Sequence, residues 1–269
     1  AISRYRGISM ENIFLGNGSD EIIDLCFRTF CDPGSDSAMT FDPSYGMYEV
    51  SASVNSVKLI KVPLTDDFSI DPASVTSLLT DPNLKLILIC SPNNPTGRVY
   101  DAATIRALGD MLQHASDRLD REIYLISDEP YDKIVYDGMK VPSLLKAYRH
   151  SLIANSYSKT LSIPGERIGF IAVNPEIDSL DLLLGGLVMC NRTLGFVNAP
   201  AFIQRVLPKV LDVEVNVAEY QRKRDLLCDG LAACGYEFTK PEGAFYLFPK
   251  SPVADDVEFV RALQKKNIL

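Results

Sequence analysis

Four short stretches of this chain carry side chains able to do chemistry, and each follows an apolar run. Ser156-Tyr157-Ser158-Lys159 leads, with Arg167 eight positions after the lysine. A lysine at the rim of a buried sheet is partly stripped of water, which makes its amine a workable nucleophile toward a carbonyl. Taken alone, the pattern also fits a solvated surface lysine before a turn. Asp128-Glu129-Pro130-Tyr131 closes the run Ile123-Tyr124-Leu125-Ile126-Ser127. A charge beside a buried sheet needs a partner. Asp128 therefore reads either as a carboxylate for a cationic ring nitrogen or as the start of a turn, which Asp and Pro both favour. Gly16-Asn17-Gly18-Ser19-Asp20-Glu21 joins a strand-like run to a helix-like one, so Ser19 and Asp20 can cap the helix while its free N–H groups face an anion. An ordinary N-cap with acidic first-turn residues is the plainer alternative. Ser91-Pro92-Asn93-Asn94-Pro95-Thr96-Gly97 is either a simple turn or two amide side chains fixed between prolines.

Positioning these stretches requires strands that alternate with helices. The sequence predicts strands at Ile13–Leu15, Ala38–Phe41, Lys58–Val62, Leu84–Cys90, Ile123–Ser127, Leu152–Ser156 and Ile168–Val173, several of them apolar on both faces. It predicts helices at Asp20–Phe30, Tyr45–Val54, Pro72–Leu79, Ala102–Arg118, Glu176–Met189 and Pro200–Leu211. The expected architecture is α/β: three layers, with a mostly parallel sheet covered by helices on both faces. The chemical stretches then fall at strand ends, where open α/β sheets place ligands. From Val213 the texture changes. A polar helix over Glu214–Cys234 runs to the stop signal Gly235, followed by short strands at Glu237–Thr239 and Ala244–Phe248 and a helix at Asp256–Lys265. Residues 1–212 are read as a large domain and 213–269 as the start of a smaller α+β one, so the chain is expected to be truncated.

Composition narrows the function. At 269 residues, 46% hydrophobic and 23% charged, the chain has an ordinary globular make-up. The formal charge of −8 disfavours nucleic acid as a partner, and the longest apolar stretch, Leu182–Cys190, is too short to cross a membrane. Cys26, Cys31, Cys90, Cys190, Cys228 and Cys234 form no CxxC, which reads as free, mostly buried thiols in a reducing cytoplasm. His114 and His150 both sit in polar, surface-like contexts. A metal site or a Ser-His-Asp triad is poorly supplied.

In order and spacing, Asn94-Pro95-Thr96-Gly97, Asp128-Glu129-Pro130-Tyr131, Ser156-Tyr157-Ser158-Lys159 and Gly165-Glu166-Arg167-Ile168-Gly169 resemble the class I and II aminotransferases of pyridoxal-phosphate fold type I. The resemblance covers essentially the whole chain. It implies that Lys159 holds pyridoxal 5'-phosphate as a Schiff base and then shuttles the substrate's Cα proton. Asp128 would pair with the pyridine nitrogen, while Asn94 and Tyr131 would bond the ring's 3'-oxygen. Ser19, Asp20, Ser156 and Arg167, with Ser158 as a weaker candidate, would surround the phosphate, and Tyr45 would stack on the ring. Tyr45 also fits a core aromatic at a helix start. The N-terminal half, through Tyr45-Gly46-Met47-Tyr48 and Ser91–Gly97, is similar to histidinol-phosphate aminotransferases. Pro164-Gly165-Glu166-Arg167 and Asn191–Asn198 look more like aspartate or aromatic ones.

The resemblance implies transamination between an amino donor and a 2-oxo acid in a cytoplasmic homodimer. A pyridoxal-phosphate lyase acting on carbon–sulfur bonds and a decarboxylase are the enzymatic alternatives. A regulatory domain that only binds the cofactor is the third reading. The family's tyrosine-bearing arm would precede Ala1 and its carboxylate-clamping arginine would follow Leu269. Arg192, expected in a loop near the site, matches no motif for that arginine.

Overall fold

The computed structural model describes residues 1–268. Seven strands form one sheet: β1 (Ile13–Gly16), β2 (Ser37–Asp42), β3 (Lys58–Pro63), β4 (Leu84–Cys90), β5 (Tyr124–Asp128), β6 (Ser151–Ser156) and β7 (Gly169–Val173), in the order β1-β7-β6-β5-β4-β2-β3. All pairings from β3 to β6 are parallel, and β7 alone runs against its neighbours β6 and β1. The α-helices are α1 (Ile2–Arg6), α2 (Ser19–Phe30), α3 (Met47–Val54), α4 (Ala102–Leu119), α5 (Tyr157–Thr160), α6 (Leu180–Thr193), α7 (Ala201–Val206), α8 (Val217–Ala233) and α9 (Asp256–Gln264).

The apolar strands face a core on each side because successive side chains point to opposite faces. In β4, Ile87 and Ile89 join one core, with Leu108 and Leu112 of α4, while Leu86, Leu88 and Cys90 join the other, with Ile22 and Phe27 of α2 and Leu187 of α6. Helices therefore cover both faces, as the sequence predicts.

Several local expectations fail for identifiable reasons. Pro72–Leu79 forms two 3-10 turns, Pro72–Val75 and Leu78–Thr80, because the hydroxyls of Ser74 and Thr80 bond nearby carbonyls, of Asp71 at 2.7 Å and Ser77 at 2.7 Å. Pro200–Leu211 breaks at Pro208, which has no N–H to continue α7. α3 starts at Met47, leaving Tyr45 free of the helix, and α6 starts after the left-handed Ser179. α8 begins at Val217, capped by the side chain of Asn216, rather than at Glu214. The two strands expected at Glu237–Thr239 and Ala244–Phe248 are not formed among the described residues. The only pairing there is a bridge between Val135 and Gly243, and Ala244, at φ +58°, interrupts the extended backbone. His150 is buried, against expectation, packed between the rings of Tyr124 and Tyr148, while His114 is exposed.

Candidate active site

Pairing of Cys90 with Asp128, of Asp128 with Ala154, and of Ser156 with Gly169 brings the C-terminal ends of β4, β5 and β6 side by side. One cavity opens there. Its lining contains all ten residues singled out from the sequence: Ser19 and Asp20 from α2, Tyr45 ahead of α3, and Asn94 after β4. Asp128 and Tyr131 come from β5 and its turn, Ser156 from β6, Ser158 and Lys159 from α5, and Arg167 from the segment before β7.

Asp128 is the most demanding member. Its residue is 1% exposed, Oδ2 accepts a 3.0 Å hydrogen bond from the hydroxyl of Tyr48, and Oδ1 has no partner. Burial pushes its carboxyl up to about 7, against the opposing effect of the Tyr48 bond. An unsatisfied oxygen on a buried carboxylate beside a cavity is a vacancy for a hydrogen-bond donor carrying positive charge.

At one end of the cavity the chain forms an anion cradle. The first α2 residue with a main-chain acceptor for its N–H is Ile22, bonding Gly18 O at 3.4 Å, so the N–H groups of Ser19, Asp20 and Glu21 have none among the described residues. The helix cap is Gly18, not the Ser19 and Asp20 side chains, whose expected capping role is thus corrected. Gly18 sits at φ +97°, and a Cβ there would lie 2.8 Å from a terminal nitrogen of Arg167. The positive φ favours glycine, and the missing side chain leaves room for that guanidinium against the loop. Arg167 is exposed and donates to Pro164 O at 3.0 Å. The Asp20 carboxylate accepts the Tyr45 hydroxyl at 2.9 Å, so Asp20 holds a ring with its side chain and offers the cradle its N–H.

The amine and the hydroxyls complete the lining. Lys159 is half-buried, with Nζ 5.6 Å from the centre of the Phe245 ring. Tyr131 is 2% exposed, its hydroxyl 2.5 Å from that of Tyr246, and burial together with that neighbour raises its pKa. Asn94 Nδ2 donates to Tyr246 at 3.4 Å. Asn93 does different work: its Oδ1 accepts from Thr96 N at 3.0 Å and its Nδ2 donates to Tyr100 at 3.1 Å, pinning the loop that presents Asn94.

The sequence profile described as "Aminotransferase class I and II" matches residues 1–269. The chain belongs to the class I and II aminotransferases. It is 32% identical over 268 residues to a protein named "Probable aspartate aminotransferase" from Methanocaldococcus jannaschii, covering 97% of this chain and 68% of that protein. It is 37% identical over 183 residues to "Histidinol-phosphate aminotransferase 1" of Haemophilus influenzae, covering 68% of this chain and 49% of that one. The chain thus spans about two thirds of the first relative and about half of the second. A crystal structure of an aminotransferase from Eubacterium rectale superposes with a TM-score of 0.94 at 35% identity, over 100% of this chain and 68% of that one.

Within this aminotransferase, Arg192 lies exposed in the last turn of α6 rather than in a loop, and does not line the cavity. Sequence reasoning missed Tyr48 and Tyr246. Tyr48 stands three positions after Tyr45, and their rings meet edge-on at 5.7 Å. Tyr246 reaches the site because the segment before it is locked to the Asn94 loop: Glu242 N and Gly243 N both donate to Gly97 O at 2.9 Å. Gly97, at φ +72°, admits that segment, since a Cβ would collide with Pro241 and lie 2.8 Å from Gly243 O.

Proposed function

We propose that this chain is the cofactor-binding part of a pyridoxal 5'-phosphate-dependent transaminase, which moves an amino group between an amino donor and a 2-oxo acid. One observation carries the reading: the unpartnered Oδ1 of buried Asp128 shares a cavity with the Lys159 amine and the N-terminus of α2. The residues fit the group. Asp128 would bond the ring N–H, Asn94 and Tyr131 the 3'-oxygen, and Tyr45 the ring face. Ser19, the Asp20 N–H, Ser156, Ser158 and Arg167 would hold the phosphate. When bound, the group supplies an aldehyde for an amine and a cationic ring that withdraws electrons from the substrate's Cα.

The protein's own work follows from where its groups sit. Lys159 Nζ would take the proton from Cα and release it two atoms further on, at the former aldehyde carbon, a task suited to a flexible amine on a short helix at the cavity wall. Asp128, accepting from Tyr48 and from the ring N–H, would stay anionic and hold the ring charged. Tyr48 holds Asp128 in one orientation. Phe245 lies beside the amine, its ring centre 5.6 Å from Nζ. The relatives' names supply two candidate donors, aspartate and histidinol phosphate.

We further propose that residues 1–212 form the large cofactor domain and that 213–269 belong to a second one, which lends Tyr246 to the site. A cytoplasmic location is supported by six free cysteines, and no helix among the described residues is long and apolar enough to cross a membrane. A homodimer is supported by exposed apolar residues on and after α6: Leu182 at 78%, Met189 at 64% and Phe202 at 75%. Sedimentation at micromolar concentration should give twice the chain mass, and a clean monomer with full cofactor occupancy would refute the dimer.

The function is tested by absorbance. The purified protein with pyridoxal phosphate should show a visible chromophore that borohydride fixes to the Lys159-containing peptide, detectable as added mass. In a separate, unreduced sample, an amino donor alone should bleach the chromophore and release one equivalent of the matching oxo product. Continuous release of pyruvate and sulfide, or of carbon dioxide, would point to the lyase or the decarboxylase. No spectral response to any donor would leave only a binding domain.

A further inference from the structure

The turn that bears Asp128 and Tyr131 is gripped from the far end of the sequence. Glu129 follows Asp128 directly, and Glu129 and Asp132 bracket Tyr131. Both carboxylates meet Arg6 of α1: one terminal nitrogen lies 3.2 Å from Glu129 Oε2 and the other 2.8 Å from Asp132 Oδ2. All three side chains are largely buried, at 14%, 3% and 10% exposure, and the guanidinium lies 5.3 Å over the Phe170 ring of β7. Burying a cation between two anions strips all three of water, and apolar groups of similar shape would hold a fold as well or better. The cluster is also incompletely satisfied, since Arg6 Nε and Glu129 Oε1 have no partner. What it does provide is geometry. A planar fork engaged at two points fixes the relative positions of the residues on either side of Tyr131, which a lysine, with its single point of charge, cannot do.

We propose that Arg6 is a positioning residue: its fork locks the Glu129–Asp132 turn so that the Asp128 carboxylate and the Tyr131 hydroxyl stay aimed into one cavity. This rests on the reading that the cavity takes pyridoxal phosphate, where the two groups address two atoms of one heterocycle. Small displacements of such paired contacts cost orders of magnitude in binding and rate.

The test compares the parent with Arg6→Lys, with a triple variant that removes the buried charges together (Arg6→Met, Glu129→Gln, Asp132→Asn), and with Arg4→Met, an exposed neighbour on α1, as control. Each is titrated with pyridoxal phosphate and separately with inorganic phosphate, and its Tm is recorded. Arg6→Lys and the triple variant should melt within a few degrees of the parent and bind inorganic phosphate unchanged. Both should hold pyridoxal phosphate at least about tenfold more weakly, with a displaced pH titration of the bound chromophore. Arg4→Met should match the parent throughout. Parent-like cofactor affinity and pH titration in both Arg6 variants would overturn the proposal. So would a triple variant that recovers cofactor binding together with Tm, because the cluster would then serve folding alone. A parent that binds no pyridoxal phosphate would instead bring down the functional reading, and this proposal with it.

Discussion

Lys159→Ala should fold like the parent and transfer amino groups at least about 10³-fold more slowly. Among the described residues, Lys159 is the only amine that lines the cavity. It lies outside both sheet cores, with its amine 5.6 Å from the centre of the Phe245 ring. Its removal should therefore cost the fold no more than about 0.5 kcal/mol. Chemistry is another matter, because two tasks fall to one nitrogen: bonding the aldehyde and carrying the Cα proton. General acid–base help alone is worth about 10² to 10⁴ in rate. Lys159→Arg separates charge from proton transfer. A guanidinium keeps the positive charge but does not release its proton near neutral pH, so this variant should be as slow as the alanine one. Single-turnover rates with a saturating amino donor check both. Activity within tenfold of the parent in either variant would show that another group moves the proton.

The ten cavity-lining residues were legible in the sequence because the fold concentrates polar side chains where strands end. The ends of β4, β5 and β6 are marked by the change from apolar run to Asn, Asp, Ser and Lys, and parallel pairing then brings those ends together. Tyr48, Tyr246 and Arg6 were not legible in the same way. Each reaches the site through a tertiary contact with no local signature: Tyr48 from a helix face, Tyr246 through the clasp between Gly97 and Gly243, and Arg6 across more than 120 residues. His150 misled because polar neighbours in sequence say little about which face of the sheet packs over them. The C-terminal strands failed for a related reason. Their composition suits a strand, but a strand also needs a partner ladder, and among the described residues only Val135 offers a bridge.

Asp128→Asn should move stability and function in opposite directions. In the cofactor-free protein, burial raises the Asp128 carboxyl from 3.8 to about 7, so its charged form is disfavoured in the fold. The folded state then binds more protons than the unfolded one, and stability falls as pH rises between those values. The penalty is absent below about pH 4, grows through neutrality and is complete above about pH 8, where it amounts to roughly 4 kcal/mol. Asparagine removes it, while its amide, placed where Oδ1 now stands unpaired, brings an unsatisfied donor worth roughly 1–3 kcal/mol. The cofactor-free variant should accordingly melt several degrees above the parent at pH 8, with the difference shrinking to nothing or reversing by pH 5. With pyridoxal phosphate bound the order inverts. The parent then satisfies Oδ1 with a cationic N–H, an interaction that asparagine cannot reproduce. Losing one partner of a buried charged pair costs about 3–5 kcal/mol, which corresponds to a turnover lower by roughly 10³-fold. Melting curves at the two pH values, with and without cofactor, and single-turnover kinetics measure all of this. An Asn variant with parent-like turnover, or a Tm difference that ignores pH, would mean that Asp128 is not the acid that keeps the ring charged.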